Sequence, residues 1–383
     1  MSPSNPLALG KPPLEVLERL FRLVEIHDPR VVMGPRVGED AAVVDMGDRY
    51  LVAKVDPITF VAEEIGWYAV HINANDLAVR GASPRWFLMT LLLPEGQSDA
   101  ALLTRIFLQV QDACRAIGAT LVGGHTEVTQ GLDRPILAGT ILGEVNKDRL
   151  VTTAGARPGD AVLLTKGIAI EGASILAREC DALLAARGVA GEVRERARDF
   201  LHRPGISVLP DAQIALETGE VHAMHDPTEG GLASGLLELA LAAGVGLRIR
   251  REDIPILPEC RTLCEALGLD PLGVIASGAL LLTCPPRDAQ RLAAAWRARG
   301  ITGTVIGEVT SDKGECMLTG VQGDVPLPRF ARDEVARLFD ELRAGPTTGL
   351  RAGLLDDGPS RVSGGSGGDV QARETRRRGH DRS

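Results

Sequence analysis

The sequence has few aromatic residues and few cysteines. Only 3% of its 383 residues are aromatic whereas 44% are hydrophobic, so the core must consist mainly of aliphatic side chains. Six cysteines in a chain of this length are too sparse for a disulfide framework, and Cys260 and Cys264 have no second pair at zinc-binding spacing. These shortages argue against a disulfide-stabilised fold and favour a large α/β protein whose thiols are structural.

Long apolar runs and excess positive charge are also missing. No stretch approaches the ~20 apolar residues of a membrane span, and no basic-then-apolar leader is present. The formal net charge of -9 argues against nucleic-acid binding, which requires a basic surface. We therefore expect a cytoplasmic protein with no membrane partner and no nucleic-acid partner. A small phosphorylated ligand is compatible with this charge if a metal screens it.

Three common catalytic or nucleotide-binding motifs are absent. The sequence has no Walker A motif, no G-x-G-x-x-G after a predicted strand and no G-x-S-x-G elbow. A standard P-loop, a dinucleotide-binding fold and a serine hydrolase are therefore disfavoured.

The length and the changes of composition along the chain predict two domains and a tail. Predicted strands and helices alternate up to a Gly- and Pro-containing connection near residue 154, and further strands and helices follow it. From about Gly345 the composition shifts to Gly, Ser, Arg and Asp, which is typical of disorder. We assign residues 1–154 to an α/β domain, 155–344 to an α+β domain, and 345–383 to a disordered polar tail.

Local patterns place acidic residues where predicted strands and helices end. A predicted hairpin delivers Asp56 to a strand end, and a helix from Glu63 to Val79 carries Asp76 in line with its apolar residues. Ser98 is the predicted cap of the following helix, and "WFLMTLLL" is a predicted buried strand. A carboxylate on the buried side of a helix is costly unless a cation or several donors meet it, so Asp76 points to a cation.

The acidic clusters together suggest a magnesium site. Magnesium prefers oxygen ligands and is usually held by a few carboxylates together with substrate phosphates. Glycines beside the acidic residues allow backbone N–H groups to approach phosphate oxygens. The candidate metal ligands are Glu39, Asp40, Asp56, Asp76 and Asp226, with Glu127 as a further acidic candidate.

Most of these motifs also have a simpler structural explanation. Glu39, Asp40 and Asp56 fit ordinary turns, and Asp226 fits a helix cap. The glycine pair that begins at Gly123 fits a bulge. The histidines next to the glycine loops, His125 and His225, are more often structural hydrogen-bonding groups than bases.

The order of the motifs resembles the aminoimidazole ribonucleotide (AIR) synthetase superfamily. "VGEDAAVVD", the strand ending at Asp56, "INANDLAVRGASP", "LVGGHTEV" and "HDPTEGGLASGLLELA" occur here in the order found in that group. The resemblance covers about residues 34 to 310. Because it depends on several motifs in a fixed order, it is more specific than any one of them.

The resemblance implies an ATP-dependent enzyme that acts as a homodimer. The N-terminal domain would pair through its mixed sheet with a second subunit, and ATP with magnesium would lie in a cleft across the dimer. Asp40, Asp56 and Asp76 match the metal and phosphate ligands, and Asp226 is their C-terminal-domain counterpart. Asp76, Asp226 and His125 are the catalytic candidates. The candidate nucleotide-binding residues are Asp40, Gly123, Gly124, Thr126, Gly230 and Gly231.

Within the superfamily, the stretch from Glu252 to Thr283 is most similar to the hydrogenase-maturation branch. That branch dehydrates a carbamoylated cysteine at its own C-terminus, whereas this sequence has no cysteine after Cys316. We therefore expect phosphoryl transfer to an oxygen of a small or peptide-borne substrate. Selenophosphate synthetase is rejected because no cysteine precedes Cys114. The alternatives are a thiamine-monophosphate kinase-like phosphotransferase and a non-catalytic ATP-binding partner protein.

Lys54 departs from the small hydroxyl residue that is usual in the superfamily at this position. It lies two residues before Asp56 in a predicted strand. It either contacts phosphate or is an ordinary lysine on an edge strand, and the edge-strand interpretation is preferred.

Overall fold

The computed structural model describes residues 7–321 and 323–344, so the predicted tail lies outside the described residues. The first half contains a six-stranded mixed sheet with strand order β1-β2-β3-β6-β4-β5. Only β4 and β5 run parallel, and the other neighbours are antiparallel. The elements are α1 (Leu14–Phe21), β1 (Val31–Met33), β2 (Ala42–Asp45), β3 (Arg49–Ile58), α2 (Ile65–Ala78), β4 (Ser83–Pro94), α3 (Ala100–Ala116), β5 (Thr120–Thr129) and β6 (Ile136–Asn146).

The second half contains a seven-stranded mixed sheet with strand order β13-β12-β9-β11-β7-β10-β8. Its elements are β7 (Ala161–Thr165), α4 (Ile170–Glu179), α5 (Asp181–Ala186), α6 (Gly191–Asp199), α7 (Leu209–Thr218), β8 (Ala223–His225), α8 (Gly231–Ala243), β9 (Gly246–Arg250), α9 (Pro258–Leu267), β10 (Leu281–Cys284), α10 (Pro286–Ala298), β11 (Gly303–Thr310), β12 (Cys316–Thr319), β13 (Val325–Pro326) and α11 (Glu334–Ala344). No helix in the described part of the chain is both long and apolar enough to cross a membrane.

The predicted two-part mixed α/β architecture is confirmed. The first sheet ends at Asn146 and the second begins at Ala161, so the predicted boundary near residue 154 falls between the sheets. The two halves nevertheless share a core, because one continuous hydrophobic cluster contains Ile65 and Leu77 together with Ile170 and Leu201. Burying this apolar surface stabilises the contact between the halves.

Helix α2 lies between the first sheet and the second half of the chain. All of its 14 residues except Trp67 are buried, which explains why its sequence lacks a clear polar face. The buried side chain of Asn75 bonds to the second half: its Nδ2 donates to the carbonyl of Ile206 at 2.8 Å, and its Oδ1 accepts from the N–H of Val208 at 2.8 Å. α2 therefore places Asp76 at the junction of the halves.

One local prediction was wrong, and another was confirmed as a strand but not as fully buried. Asp99, not Ser98, caps α3, since its carboxylate accepts the N–H of Leu102 at 2.7 Å while the Ser98 hydroxyl bonds to the carbonyl of Pro94. The "WFLMTLLL" segment belongs to β4, where buried and more exposed residues alternate. This alternation follows from the strand's period of two, and only one of its faces packs on the core.

Candidate functional site

Four of the predicted carboxylates converge at the junction of the two halves. Lys54 Nζ lies 3.2 Å from Asp56 Oδ2 and 3.4 Å from Asp76 Oδ1. Asp40, His225 and Asp226 each offer a ligand atom, and these atoms lie within 4.8 Å of one another. Asp226 is close enough to Asp76 for their charges to interact. We call Asp40, Asp56, Asp76 and Asp226, together with Lys54 and His225, the acidic cluster.

The first half positions its part of the cluster by strand alternation and one amide clamp. Lys54 and Asp56 lie two residues apart on β3 and therefore on the same face. Asn73 Oδ1 accepts the N–H of Asp56 at 2.8 Å, and Asn73 Nδ2 donates to the Asp56 carbonyl at 3.2 Å. Because Asn73 is one helical turn before Asp76, this clamp also places the Asp76 carboxylate against β3.

A glycine in the neighbouring strand lets the clamp approach the sheet. Gly139 of β6 pairs with Asp56, and a Cβ at Gly139 would lie 2.8 Å from Asn73 Nδ2. A larger residue there would push α2, and with it Asp76, away from the sheet.

The second half contributes the end of β8 and the turn that follows it. Asp226 comes directly after His225, and both are almost fully buried. The turn enters α8 through Gly230 and Gly231, with φ of +82° and +65°. A Cβ at Gly231 would lie 2.7 Å from the carbonyl oxygen of Val274, so this position requires glycine.

The glycine turn is held by the protein itself. The N–H of Gly230 donates to Asp333 Oδ2 at 2.8 Å, and the N–H of Gly231 donates to the carbonyl of Thr228 at 3.0 Å. Both N–H groups therefore have partners within the chain, and the assignment of Gly230 and Gly231 to nucleotide binding stays a prediction. The turn positions Asp226.

Burial and crowding of like charges shift the pKa values of the cluster. Burial raises the pKa of Asp226 to about 7 and raises the pKa of Asp76 well above its ordinary value, with neighbouring carboxylates adding to the effect. Burial also raises the pKa of Asp40, but the charges of His225, Lys54 and Lys11 outweigh it and hold that pKa below its ordinary value. The cluster thus has more buried negative charge than its own cations neutralise.

A divalent cation fits this arrangement. Asp76 Oδ2, both oxygens of Asp226 and His225 Nδ1 are buried without a hydrogen-bond partner among the described residues. Buried polar atoms are rarely left unpaired, so such a group indicates a missing ligand or ion. Because the donors are mainly carboxylate oxygens, the site suits magnesium better than a soft metal.

Glu39 does not belong to the cluster, and because its carboxylate has other partners, the geometry gives no support to its predicted role as a metal ligand. Its carboxylate forms a buried ion pair with Arg80, which is itself fully buried. Glu39 also accepts the N–H groups of Thr153 at 3.2 Å and Ala154 at 3.1 Å. With both oxygens occupied, Glu39 joins α2 to the segment that connects the two halves.

The predicted nucleotide residues on β5 lie apart from the cluster. β5 is the edge strand of the first sheet, and its residues Gly123 to Thr126 are exposed. The register runs from Asp56 through Gly139 and Met89 to Gly124, a separation of three strand spacings or roughly 14 Å. Within one chain these residues therefore do not reach the acidic cluster.

The histidine in the cluster is His225, whereas His125 is exposed on β5 beside Glu127. His225 Nε2 bonds to Glu238 Oε2 at 3.0 Å, and its Nδ1 lies 3.4 Å from Asp40 Oδ2. Although burial lowers the pKa of His225, Glu238 and Asp40 raise it above its ordinary value. The only sequence signal for this role was that His225 directly precedes Asp226 in the sequence.

Lys54 and Lys11 are the other residues whose roles the sequence did not reveal. β3 lies between β2 and β6, so the interpretation of Lys54 as an edge-strand lysine is wrong. Lys11 Nζ contacts Glu238 Oε1 at 3.0 Å and thereby extends the chain of charges to the N-terminal segment. A cavity of about 1140 Å³ is lined in part by Lys11, Glu229 and Glu238.

Comparison with known proteins places these features in a family context. The model of the "AIR synthase related protein, N-terminal domain" matches residues 38–145, and that of the "AIR synthase related protein, C-terminal domain" matches residues 157–318. The chain is 36% identical over 290 residues to the carbamoyl dehydratase HypE of Cupriavidus necator, covering 72% of this chain and 78% of the relative. It is 32% identical over 311 residues to HypE of Rhodobacter capsulatus, covering 79% and 87%.

The fold is also similar to solved structures of the same kind of protein. A crystal structure of the hydrogenase maturation protein HypE in complex with ATP has a TM-score of 0.64 and 27% sequence identity, and it covers 79% of this chain and 92% of that chain.

Proposed function

This chain belongs to the AIR synthase related family, in the branch of the HypE proteins, and from this premise we propose that it uses Mg-ATP to activate a carbamoyl oxygen. The observation that carries the proposal is the acidic cluster, whose buried and unpartnered carboxylate oxygens come from both halves of the chain. Such a site fits phosphoryl transfer, which requires positioning and charge neutralisation more than a covalent nucleophile. The similarity to HypE supports a carbamoyl group as the acceptor.

The proposed reaction is an ATP-driven dehydration. The carbamoyl oxygen attacks the γ-phosphorus of ATP, the bond from that phosphorus to the ADP oxygen breaks, and an O-phosphorylated intermediate forms. The carbon–oxygen bond then breaks, phosphate leaves, and the nitrogen gives up its two protons as the nitrile forms. The oxygen of the carbamoyl group therefore leaves in inorganic phosphate, and the products are the nitrile, ADP and phosphate.

The residues of the acidic cluster have different roles in this reaction. Asp40, Asp76 and Asp226 would hold magnesium, which supplies charge neutralisation at the phosphates when it is bound. Lys54 adds a fixed positive charge at the same place. His225 is oriented by Glu238, and the neighbouring carboxylates raise its pKa above the ordinary value, which favours a proton that it can donate to the departing phosphate.

The carbamoyl group is proposed to arrive on a separate small molecule or peptide. All six cysteines of the sequence are buried. Burial also raises their thiol pKa values, to about 12 for Cys114, Cys180, Cys264 and Cys284. Buried, protonated thiols are poor nucleophiles and poor carriers, so none of the six is suited to present the substrate.

We also propose that the protein acts as a homodimer through the edge strand β5. Val122 and Val128 are 52% and 56% exposed on this strand, and an unpaired, partly apolar strand edge is suited to pairing with another copy. In a dimer, Gly123, Gly124 and Thr126 of one subunit would be available to the nucleotide of its partner. Such a dimer would explain why the predicted nucleotide-binding residues on β5 lie far from the acidic cluster within one chain.

The direct test is incubation of the protein with Mg-ATP and a synthetic S-carbamoyl-cysteine peptide. We expect the peptide to lose the mass of one water and ADP to appear in equal amount, measured by mass spectrometry and nucleotide chromatography. Asp226→Asn should abolish both products. The exposed Asp48→Asn, which alters only a surface pair with Arg49, should retain them.

Two outcomes would count against this function. ADP release that does not depend on the peptide would indicate an ATPase with another acceptor. ATP binding without any turnover on carbamoyl substrates would favour the non-catalytic binding protein.

A further inference from the structure

Lys54 holds an unusual position inside the acidic cluster. Its side chain is only 13% exposed, and its ammonium lies between one oxygen of Asp56 and one oxygen of Asp76. A lysine ammonium has three donors and is a compact point charge, so it occupies a place in a carboxylate cluster much as a metal ion does. β3 and α2, joined by the Asn73 clamp, fix both carboxylates around it.

In the described part of the chain, the other half of the cluster has no lysine held between two of its carboxylates, and its basic residue is His225, 3.4 Å from Asp40. Both oxygens of Asp226 and the second oxygen of Asp76 have no partner among the described residues. The ligand atoms that lie within 4.8 Å of one another belong to Asp40, His225 and Asp226, not to Asp56. Asp226 and His225 thus contribute both unpaired atoms and clustered ligand atoms, and Asp56 contributes neither.

A second metal ion on the Asp56 side would compete directly with Lys54. Magnesium binds carboxylate oxygens at about 2.1 Å, so an ion shared by Asp56 and Asp76 would lie within roughly 4 Å of the Lys54 ammonium. Two cations this close repel strongly in a buried site. Lys54 therefore blocks that position both sterically and electrostatically.

We propose that Lys54 is a built-in cation that replaces a divalent ion, so that the nucleotide-free protein binds one divalent ion per chain, on the Asp40–Asp226 side, and not two. This inference rests on the proposed Mg-ATP site and specifies its metal content. Its consequence for function is a fixed positive charge at the phosphates that is present before any metal binds. Lys54 is thus a positioning and charge-supplying residue of this particular chain.

The test counts Mn²⁺ ions bound to the nucleotide-free protein, using the electron paramagnetic resonance signal of free Mn²⁺ during titration. We expect one ion per chain for the wild type and two for Lys54→Ser, which removes the ammonium and leaves space. Lys147→Ser is the matched control, because Lys147 also pairs with a carboxylate, Asp45 at 2.7 Å, but on the surface. The control should bind one ion.

Lys54→Gln provides a second variant if Lys54→Ser fails to fold, since it keeps most of the length and removes the charge. For Lys54→Gln we expect the added ion to bind more weakly than the first but still measurably. Two ions in the wild type, none in the wild type, or equal counts in wild type and both variants would each overturn the inference.

A calorimetric titration of the wild type with Mg and an ATP analogue separates this inference from the proposed function. One Mn²⁺ per wild-type chain and two in the variant, without nucleotide binding, would leave the role of Lys54 intact and reject the ATP chemistry. Nucleotide binding with the same Mn²⁺ count in wild type and variants would support the proposed ATP site and reject the role of Lys54.

Discussion

Replacing Glu39 with glutamine should destabilise the fold without weakening magnesium binding. Glu39 forms an ion pair with Arg80, and both side chains are at most 1% exposed. Glutamine keeps the shape but removes the charge, and it turns an N–H₂ group toward either the guanidinium or the N–H groups of Thr153 and Ala154. Among the described residues, Arg80 would then be a buried charge with the Thr153 hydroxyl, at 2.7 Å, as its one remaining side-chain partner.

Breaking a buried ion pair by removing one partner typically costs about 3–5 kcal/mol. At ~2–4 °C per kcal/mol for domains of this size, the unfolding midpoint of Glu39→Gln should fall by roughly 6–20 °C. The matched control is Glu18→Gln, since Glu18 pairs with Arg22 on the exposed face of α1. An exposed pair four residues apart contributes only ~0.3–0.5 kcal/mol, so the control should unfold within about 2 °C of the wild type.

The assay combines thermal unfolding by circular dichroism with a magnesium titration of nucleotide binding. We expect Glu39→Gln to bind magnesium and the ATP analogue as the wild type does at a temperature where both are folded. An unchanged midpoint together with a loss of magnesium dependence would refute the reasoning, because it would make Glu39 a metal ligand and not a structural partner of Arg80.

Three further predictions concern buried charge, the dimer and the histidines. Burial raises the pKa of Glu171 from an ordinary 4.5 to about 8, so the stability that its protonated form provides is present at low pH and is lost as pH rises through 8. Glu171→Gln should therefore flatten the fall of the unfolding midpoint between pH 5 and pH 9. A parallel fall in both proteins would contradict this. Val122→Lys on β5 should shift a dimer to monomer in sedimentation velocity, whereas Val325→Lys on the edge strand β13 should not. His225→Gln should reduce turnover at least about 100-fold, and His125→Gln should keep the chemical step in single-turnover kinetics; the opposite ranking would restore His125 as the catalytic histidine.

The sequence predicts those parts of the site that depend on local chain geometry. Asp76 could be identified because a carboxylate in line with buried helical residues requires a partner, and it does lie in the cluster. Asp226 could be identified because it precedes a glycine turn at the start of a helix. In both cases the physical reason is contained within one turn of chain.

The parts that the sequence did not predict depend on contacts between distant segments. Whether Glu39 binds metal or Arg80 is decided by a residue 41 positions away, and Lys54 is central because β6 pairs with β3 across the sheet. The roles of Glu238 and Lys11 depend on a contact that spans 227 residues. Strand order and long-range pairing are not visible in local spacing, so these roles require the tertiary structure.

The measurement that tests the account most directly is a calorimetric titration with a non-hydrolysable ATP analogue, performed with magnesium and with a chelator. The account predicts binding only with magnesium, weakened more than about tenfold, or ~1.4 kcal/mol, by Asp226→Asn. The exposed control Asp253→Asn, which alters only a surface pair with Arg250, should bind as the wild type does. Equal binding without magnesium, or full binding by Asp226→Asn, would contradict the claim that the acidic cluster holds the metal and phosphates of ATP.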